Sequence, residues 1–446
     1  MAKKIGLVSL GCSKNLVDSE IMLGILSEQG FEVTNDKNDA DMIIINTCGF
    51  IDSAKEESIN TILEMAELKK GKCRFLIVAG CLAERYRNEI RKEIPEVDAV
   101  IGTGNYGDIA QVVNRLYQGD KPVIYGISTE LDYLENKRII STNNGYAYLK
   151  IAEGCDNCCT YCIIPKLRGP YRSRSMESIL REAEDLAQKG VKELVLIAQD
   201  TSKYGIDIYG QKKLVDLLKE LEKINGIEWI RFLYCYPEDV DDALIDEVIR
   251  NTKVCNYFDI PIQHISDKIL KMMGRKGSAA EIKALIEKIR NRIPDVVLRT
   301  TLMVGFPGEN DTDFMELYNF VKEYKFDRLG VFTYSREEGT PADKLDFQVD
   351  EKTKNSRYNK IMALQKKISR EKNKKRLGKE YRTIVEGVAD DGIFYYGRTP
   401  FEAPEIDGLA YFTSSEPLNI GEFVNIKIVN TEDYDVIGEV TNEFTK

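Results

Sequence analysis

Between residues 5 and 334 short apolar runs alternate with amphipathic stretches, and this alternation constrains the fold more than any other feature of the chain. In the first part, the runs at 5–10, 42–46, 75–79 and 99–102 read as strands buried on both faces. Stretches at 18–29, 54–69, 83–94 and 108–118 carry the helical period between and after them. That pattern predicts an α/β domain over residues 1–125 with a parallel, doubly wound sheet. Cys12, Cys48 and Cys81 each fall about two residues beyond a predicted strand end. A parallel sheet gathers its strand ends along one edge, where such folds place ligands, so three cysteines distant in sequence are expected to converge. A small buried cysteine can also simply fill space beside glycine. Recurrence after three strands of four favours a three-thiolate site. Cys73 precedes its strand and is expected to be structural.

The alternation continues over residues 140–345, with strands expected at 146–151, 193–198, 229–234, 257–262, 296–304 and 328–334. Helices are expected between them at 176–189, 213–223, 242–250, 280–293 and 313–324. Six strand–helix repeats predict an open, partial (β/α)6 barrel whose functional loops lie at the carboxyl ends of the strands. The loop after its first strand holds Cys155-x3-Cys159-x2-Cys162, with Tyr161 before the last cysteine. Three thiolates so close together can wrap one face of a small cluster. A four-iron cube with three protein ligands keeps one iron open, whereas ferredoxin spacing supplies a fourth cysteine. Cys158 leaves an alternative, because Cys155-x2-Cys158 is also a metal-like pair and four cysteines could form a zinc knuckle.

Other strand ends of this domain are polar or glycine-rich: Gln199-Asp200-Thr201-Ser202, Gln263-His264, and Gly305-Phe306-Pro307-Gly308-Glu309. Glycines there would let backbone amides approach a ligand closely. His264 is the only histidine, so a Ser/His/Asp or His–zinc mechanism would have to use it. We expect a hydrogen-bonding residue near the barrel mouth instead. Cys235 and Cys255 lack metal-like spacing and are expected in the core.

No apolar stretch of about 18 residues is present, so no membrane-spanning helix is expected. The first apolar run is too short for a signal peptide, which points to a cytoplasmic protein with reduced thiols. Ten cysteines in that setting suggest metal or redox chemistry more than disulfides. The net charge of −10 is uneven. Residues 352–379 carry +11, and Ile361, Leu364 and Ile368 at helical spacing suggest a helix over about 350–379 with one packed apolar face. Its basic face is expected to be solvated or to meet a polyanion. Residues 381–446 carry −9 in five short alternating runs, which predicts a small antiparallel β-barrel of the OB type over 380–446. Such a surface repels a phosphate backbone and attracts a basic partner.

With these residues in place, the cysteine triplet at 155–162 resembles that of the radical S-adenosylmethionine (SAM) superfamily. From end to end the chain resembles the methylthiotransferase family within it, which joins a cluster domain, a radical domain and a TRAM barrel. Residues 10–20, 199–205 and 334–341 resemble the branch that modifies an aspartate of protein twelve of the small ribosomal subunit. Ser13 and Cys158 depart from that branch's usual proline and basic residue. The resemblance implies two 4Fe-4S clusters, one on Cys12, Cys48 and Cys81 and one on Cys155, Cys159 and Cys162. It implies that the second cluster binds SAM and yields a deoxyadenosyl radical, which takes hydrogen from the aspartate β-carbon. The first cluster would present the sulfur or methylthio group. By position, Tyr161, Gln199, Asp200, Gln263, Gly305 and Gly308 would contact the cofactor. The implied partners are a basic ribosomal protein, an external reductant and a sulfur source, with no membrane and with nucleic acid not the main substrate. The alternatives are a tRNA methylthiotransferase acting beside the anticodon, and a non-catalytic zinc or electron-carrier protein.

Overall fold

The computed structural model describes residues 3–128, 130–142 and 145–441. The chain forms two compact units, one of Met1–Ser141, Ala152–Arg174 and Ser335–Asp343, the other of Thr142–Ile151, Ser175–Tyr334 and Lys344–Lys446.

The first unit is built on six parallel strands: β1 (Lys4–Ser9), β2 (Glu32–Val33), β3 (Met42–Thr47), β4 (Phe75–Gly80), β5 (Ala99–Ile101) and β6 (Val123–Ile124). Their order is β2-β1-β3-β4-β5-β6, so the winding direction switches between β1 and β3. Every residue of β3 and β4 is buried, as the apolar runs Met42–Ile45 and Phe75–Ala79 require; the polar end of β3, Asn46 and Thr47, is buried with them. The two-residue edge strands were not expected, because they are too short to show a period. Helix Ser13–Glu28 also starts earlier than its apolar period predicts. Its first turns bury Lys14, Asn15, Asp18, Ser19 and Glu20, whose polarity hides the helix from a hydrophobic pattern. Ala152–Glu153 pairs antiparallel with Arg172–Ser173, closing the neck of the loop that holds Cys155, Cys159 and Cys162.

The second unit contains β7 (Tyr146–Lys150), β8 (Glu193–Ile197), β9 (Trp229–Phe232), β10 (Tyr257–Asp259), β11 (Val297–Val304) and β12 (Arg328–Thr333). They form two parallel three-stranded sheets, β9-β8-β7 and β10-β11-β12. Single hydrogen bonds join the two, such as Cys235 N to the Asp259 carbonyl at 2.9 Å, giving the open six-strand arc. The closed terminal barrel comprises β13 (Glu380–Val388), β14 (Tyr395–Arg398), β15 (Ala410–Thr413), β16 (Phe423–Thr431) and β17 (Val436–Val440), ordered β13-β14-β15-β17-β16. One pair, β15 with β17, is parallel, so the barrel is not antiparallel throughout. The crossover that inserts the last strand beside the third is the reason.

Helix Glu351–Lys374 buries Ile361 and Ile368 as expected, while Leu364 is half-buried. The same face also buries Lys354, Arg357, Gln365, Ser369 and Asn373. Lys354 donates to the Tyr334 carbonyl at 2.9 Å and Arg357 pairs with Glu309 at 3.0 Å. Part of the basic segment's charge is therefore spent within the protein.

Candidate metal centres

All three thiols of the first set follow strands, and two of them, Cys12 and Cys81, stand at the amino terminus of the next helix. Cys12 caps helix Ser13–Glu28, Cys81 opens helix Cys81–Glu93, and Cys48 follows β3 directly. Helix amino termini favour the thiolate form. Glycines draw these strand ends together. At Gly11 (φ +87°) a Cβ would lie 2.7 Å from Cys48 Cβ, and at Gly80 (φ +97°) 2.3 Å from Asn46 Oδ1. Only glycine suits both the backbone and the gap.

The three thiols influence one another's ionisation. Burial pushes Cys48 up to about 12, and negative charge on Cys81 and Cys12 adds to the rise. Cys81 is raised too, by burial first and against the pull of Arg168. Cys12 moves the other way: desolvation raises it, but Lys14, Arg168 and the amides of Asn15 and Lys14 together outweigh that rise. Negative charge on one thiol thus opposes ionisation of its neighbour, and a metal-bound thiol is deprotonated outright. The donor set fits an iron–sulfur cluster. Among the described residues no three His, Cys, Asp or Glu side chains converge as ligands of a single ion. Thiolates on a cube bind different irons and stand farther apart.

In the second set, Cys155 N donates to the Gly169 carbonyl at 3.1 Å and Cys162 N to the Cys159 carbonyl at 3.1 Å. Asn157 N donates to Cys155 Sγ at 3.4 Å. Cys155 and Cys159 are buried and Cys162 half-buried, whereas Cys158 is exposed with its thiol 3.8 Å from the Asp156 carbonyl. Burial pushes Cys162 up to about 12; the Ile164 amide pulls back, and Cys159 and Cys155 raise it further. This geometry groups Cys155, Cys159 and Cys162 and turns Cys158 outward. Tyr161 is half-buried in the same loop.

The two sets adjoin. Cys81 packs in one apolar cluster with Ile163, which follows Cys162 directly, and with Leu167 one helical turn on. Around them lies a buried polar group that the sequence reading missed. Arg168 donates to Asp18 at 3.1 Å and Glu153 at 2.8 Å, and also to Asn15. Tyr133 hydroxyl donates to Asp18 at 3.1 Å and Glu153 at 3.3 Å. The only signal was the polarity of Asn15 and Asp18 within a helix that otherwise repeats apolar residues.

The strand-end residues of the second unit are placed as follows. Asp200 accepts from Ser202 Oγ at 2.5 Å and pairs with Lys203 at 3.5 Å; Gln199 precedes it at the end of β8. Gln263 (φ +72°) extends the pairing with β11, its amide donating to the Thr301 carbonyl at 2.8 Å. Gly305 N donates to Glu309 Oε2 at 2.6 Å and Gly308 N to the Phe347 carbonyl at 2.9 Å. These amides are bonded within the protein, and a Cβ at Gly305 would lie 2.2 Å from Lys354 Cγ. His264 is fully buried, its Nδ1 accepting from Ser266 N at 3.0 Å and its Nε2 3.8 Å from Glu309. Cys73, Cys235 and Cys255 are buried.

Three family models match successive parts of the chain: uncharacterized protein family UPF0004 at residues 4–102, the radical SAM superfamily at 149–321 and the TRAM domain at 377–441. Among solved structures, the chain resembles the radical SAM methyltransferase TsrM of Kitasatospora setae, with TM-score 0.57 and 13% identity over 77% of this chain and 74% of that one. The cobalamin-dependent radical enzyme OxsB gives TM-score 0.53 and 12% identity over 82% and 56%. At such identity these likenesses speak to fold alone. Full-length relatives are far more similar. The ribosomal protein uS12 methylthiotransferase RimO of Acetivibrio thermocellus is 60% identical over 100% of both chains. The RimO proteins of Alkaliphilus oremlandii and Clostridioides difficile are 53% and 52% identical over at least 98% of this chain and 99% of theirs. By its sequence, its three matched domains and its fold, the chain belongs to the RimO family of radical SAM methylthiotransferases.

Proposed function

We propose that this chain adds a methylthio group to the β-carbon of an aspartate in ribosomal protein uS12. The observation that carries the reading is the adjoining of two three-thiol sets within one unit, with Cys81 packed against Ile163 and Leu167. A single cluster would serve radical generation alone; a second set beside it suits a reaction that must also deliver sulfur. Cys155, Cys159 and Cys162 hold the cluster that binds SAM, and Cys12, Cys48 and Cys81 hold the other. Tyr161, Gln199, Asp200, Gln263, Gly305 and Gly308 belong to the cofactor's surroundings. When bound, these groups supply the radical that opens an unactivated C–H bond and the sulfur that replaces the hydrogen.

The protein's own side chains hold and shield this chemistry. Burial of Cys155, Cys159 and Cys81 keeps water from their sulfurs. The acidic barrel recruits a basic protein. Of its carboxylates, Glu386 and Glu402 are committed to buried arginines, while Asp390, Asp391, Glu416, Glu432 and Glu439 are exposed. A ribosomal protein is rich in positive charge, and exposed carboxylates steer its approach. Among the described residues no helix is long and apolar enough to cross a membrane, and the reaction belongs in the cytoplasm with an external reductant and sulfur source.

The test gives reconstituted enzyme, SAM and a reductant either uS12 or tRNA and reads methylthio gain by mass spectrometry. A gain on uS12 is expected; a gain on tRNA alone overturns the reading. Iron content should be about eight per chain, falling to about four when either cysteine set is replaced by alanine. About four in the unaltered protein refutes the two-cluster assignment.

A further inference from the structure

The helices Asp52–Glu67 and Cys81–Glu93 begin just after Cys48 and at Cys81, and a groove of 670 Å³ lies between them. Each helix lends the groove residues three and four positions apart, which is one face of each. Leu82 and Ile90 are buried in it and Tyr86 is half-buried, whereas Ile59 and Leu63, one turn apart, are 42% and 49% exposed. Neighbouring apolar side chains left exposed in a concavity mark a contact surface. The rim is acidic. Asp52 and Lys55 pair at 2.6 Å, Lys55 also reaches Glu337 at 2.9 Å, and Glu93 lies 3.2 Å from Lys92. Glu56 and Glu89 are exposed, and among the described residues no cation pairs with either.

We propose that this groove docks a basic surface segment of uS12, with apolar side chains of that segment on Ile59 and Leu63 and its lysines or arginines against Glu56 and Glu89. An apolar floor within a charged rim is the build of a protein contact, and two apolar positions one helical turn apart suit an amphipathic segment. Charge chooses the occupant. An acidic partner would meet two carboxylates that no cation of this chain offsets, and a second copy of the chain brings a net charge of −10. Position adds to the choice: Leu82 is the residue after Cys81, so the docked segment lies beside the cysteine set assigned to sulfur delivery. The inference rests on uS12 being the substrate, and it gives that substrate a contact on the unit that carries both cysteine sets.

The test measures binding of fluorescently labelled uS12 to the reconstituted full-length protein by anisotropy, at low and at high salt. Iron content and the urea midpoint report whether each variant is folded. Ile59→Glu with Leu63→Glu should weaken binding about tenfold. Glu56→Lys with Glu89→Lys should weaken it severalfold at low salt, and the difference should shrink at high salt. An unchanged Kd in either variant overturns the proposal, and so does a loss in the second that salt leaves intact. Should the first variant lose its iron or its midpoint, the second alone decides. Light scattering covers the other occupant: a dimer that the first variant dissolves, with Kd for uS12 unchanged, assigns the groove to a second copy and overturns the proposal. Methylthio gain on uS12 with both variants binding normally refutes the groove and leaves the proposed function standing. If the unaltered protein binds uS12 without methylthio gain, that function fails instead; if it does not bind uS12, both fail.

Discussion

Arg85 and Glu337, 252 residues apart, form an ion pair at 2.7 Å with side chains 8% and 3% exposed. Lys55 reaches the same carboxylate at 2.9 Å and Ser335 at 2.6 Å. Arg85 also donates to the carbonyl of Gly49, the residue after Cys48, at 3.2 Å. The rest of the Ser335–Asp343 segment turns to the other cysteine loop: Lys166 donates to the Gly339 carbonyl at 2.6 Å, and Ala342 N donates to the Thr160 carbonyl at 2.8 Å. One short segment thus reaches the backbone beside Cys48 through Arg85 and bonds the backbone beside Cys159 directly.

Changing Glu337 to Gln leaves Arg85 and Lys55 facing a neutral group in a buried place. Removing one partner of a buried ion pair typically costs about 3–5 kcal/mol. The expected outcome is a lower midpoint in urea unfolding and iron lost from both sets after gel filtration. An unchanged midpoint with full iron content would show that the Arg85–Glu337–Lys55 group does not hold the two cysteine loops.

Cys158 and Cys159 should respond differently to serine. Cys158 is exposed and bonded to a backbone carbonyl, whereas Cys159 is buried and raises the pKa of Cys162. Cys158→Ser is expected to keep its iron and its activity. Cys159→Ser should lose about four irons and all SAM cleavage. The opposite pattern in iron counting would move the ligand to Cys158.

The pH dependence of stability should carry the mark of His264. Burial lowers its pKa from the usual 6.5 to about 3, with Arg357 and Lys268 lowering it further against Asp313. The folded state therefore binds fewer protons than the unfolded chain between those values, and stability falls as pH drops below 6.5. Glu309 acts in the opposite sense: burial pushes it up to about 7, so its contribution is complete below the unfolded value of 4.5 and disappears as pH rises through 7. The His264→Gln variant separates the two. Relative to that variant the unaltered protein should lose about 1.4 kcal/mol per pH unit on acidification from 6.5 toward 4. Parallel stability curves would mean that His264 is protonated in the fold.

The doubly wound sheet, the six-strand arc and the presence of a five-strand terminal barrel were legible because each rests on apolar periodicity, whereas the short edge strands and the parallel pair in the barrel were not. That Cys12, Cys48 and Cys81 stand just beyond strand ends was legible because β1, β3 and β4 are marked by apolar runs that stop before them. What stayed hidden is polar and buried. Asn15, Asp18, Glu153 and Arg168 become neighbours only when helix Ser13–Glu28 meets the loop at 152–174, and no local pattern announces that meeting. Lys354 and Arg357 read as solvated charge because nothing nearby in sequence pairs with them. Their partners, the Tyr334 carbonyl and Glu309, arrive from other parts of the fold. Sequence periodicity records which faces are apolar, whereas buried ion pairs depend on which distant elements come together.

The same reasoning applies to the junction of the arc with the terminal barrel. Arg398, on β14, pairs with Glu193 of β8 at 2.6 Å and with Glu386 of β13 at 2.7 Å, and Arg231 of β9 reaches Glu193 at 2.8 Å. All four side chains are at most 6% exposed. Arg398→Met removes the cation between two buried carboxylates, an expected loss of about 3–5 kcal/mol. Adding Glu386→Gln to that variant should restore part of it, because Glu386 is the carboxylate left without a cation while Glu193 keeps Arg231. Hydrogen exchange locates the effect: amides of β14 and β15 should exchange faster, while β3, in the other unit, stays protected. Faster exchange in β3 to the same degree would show global unfolding instead. If the barrel presents uS12, this variant should also raise KM for uS12 and leave SAM binding unchanged, since no proposed cofactor contact lies on β14. An unaltered KM with a loosened barrel would show that uS12 is received elsewhere.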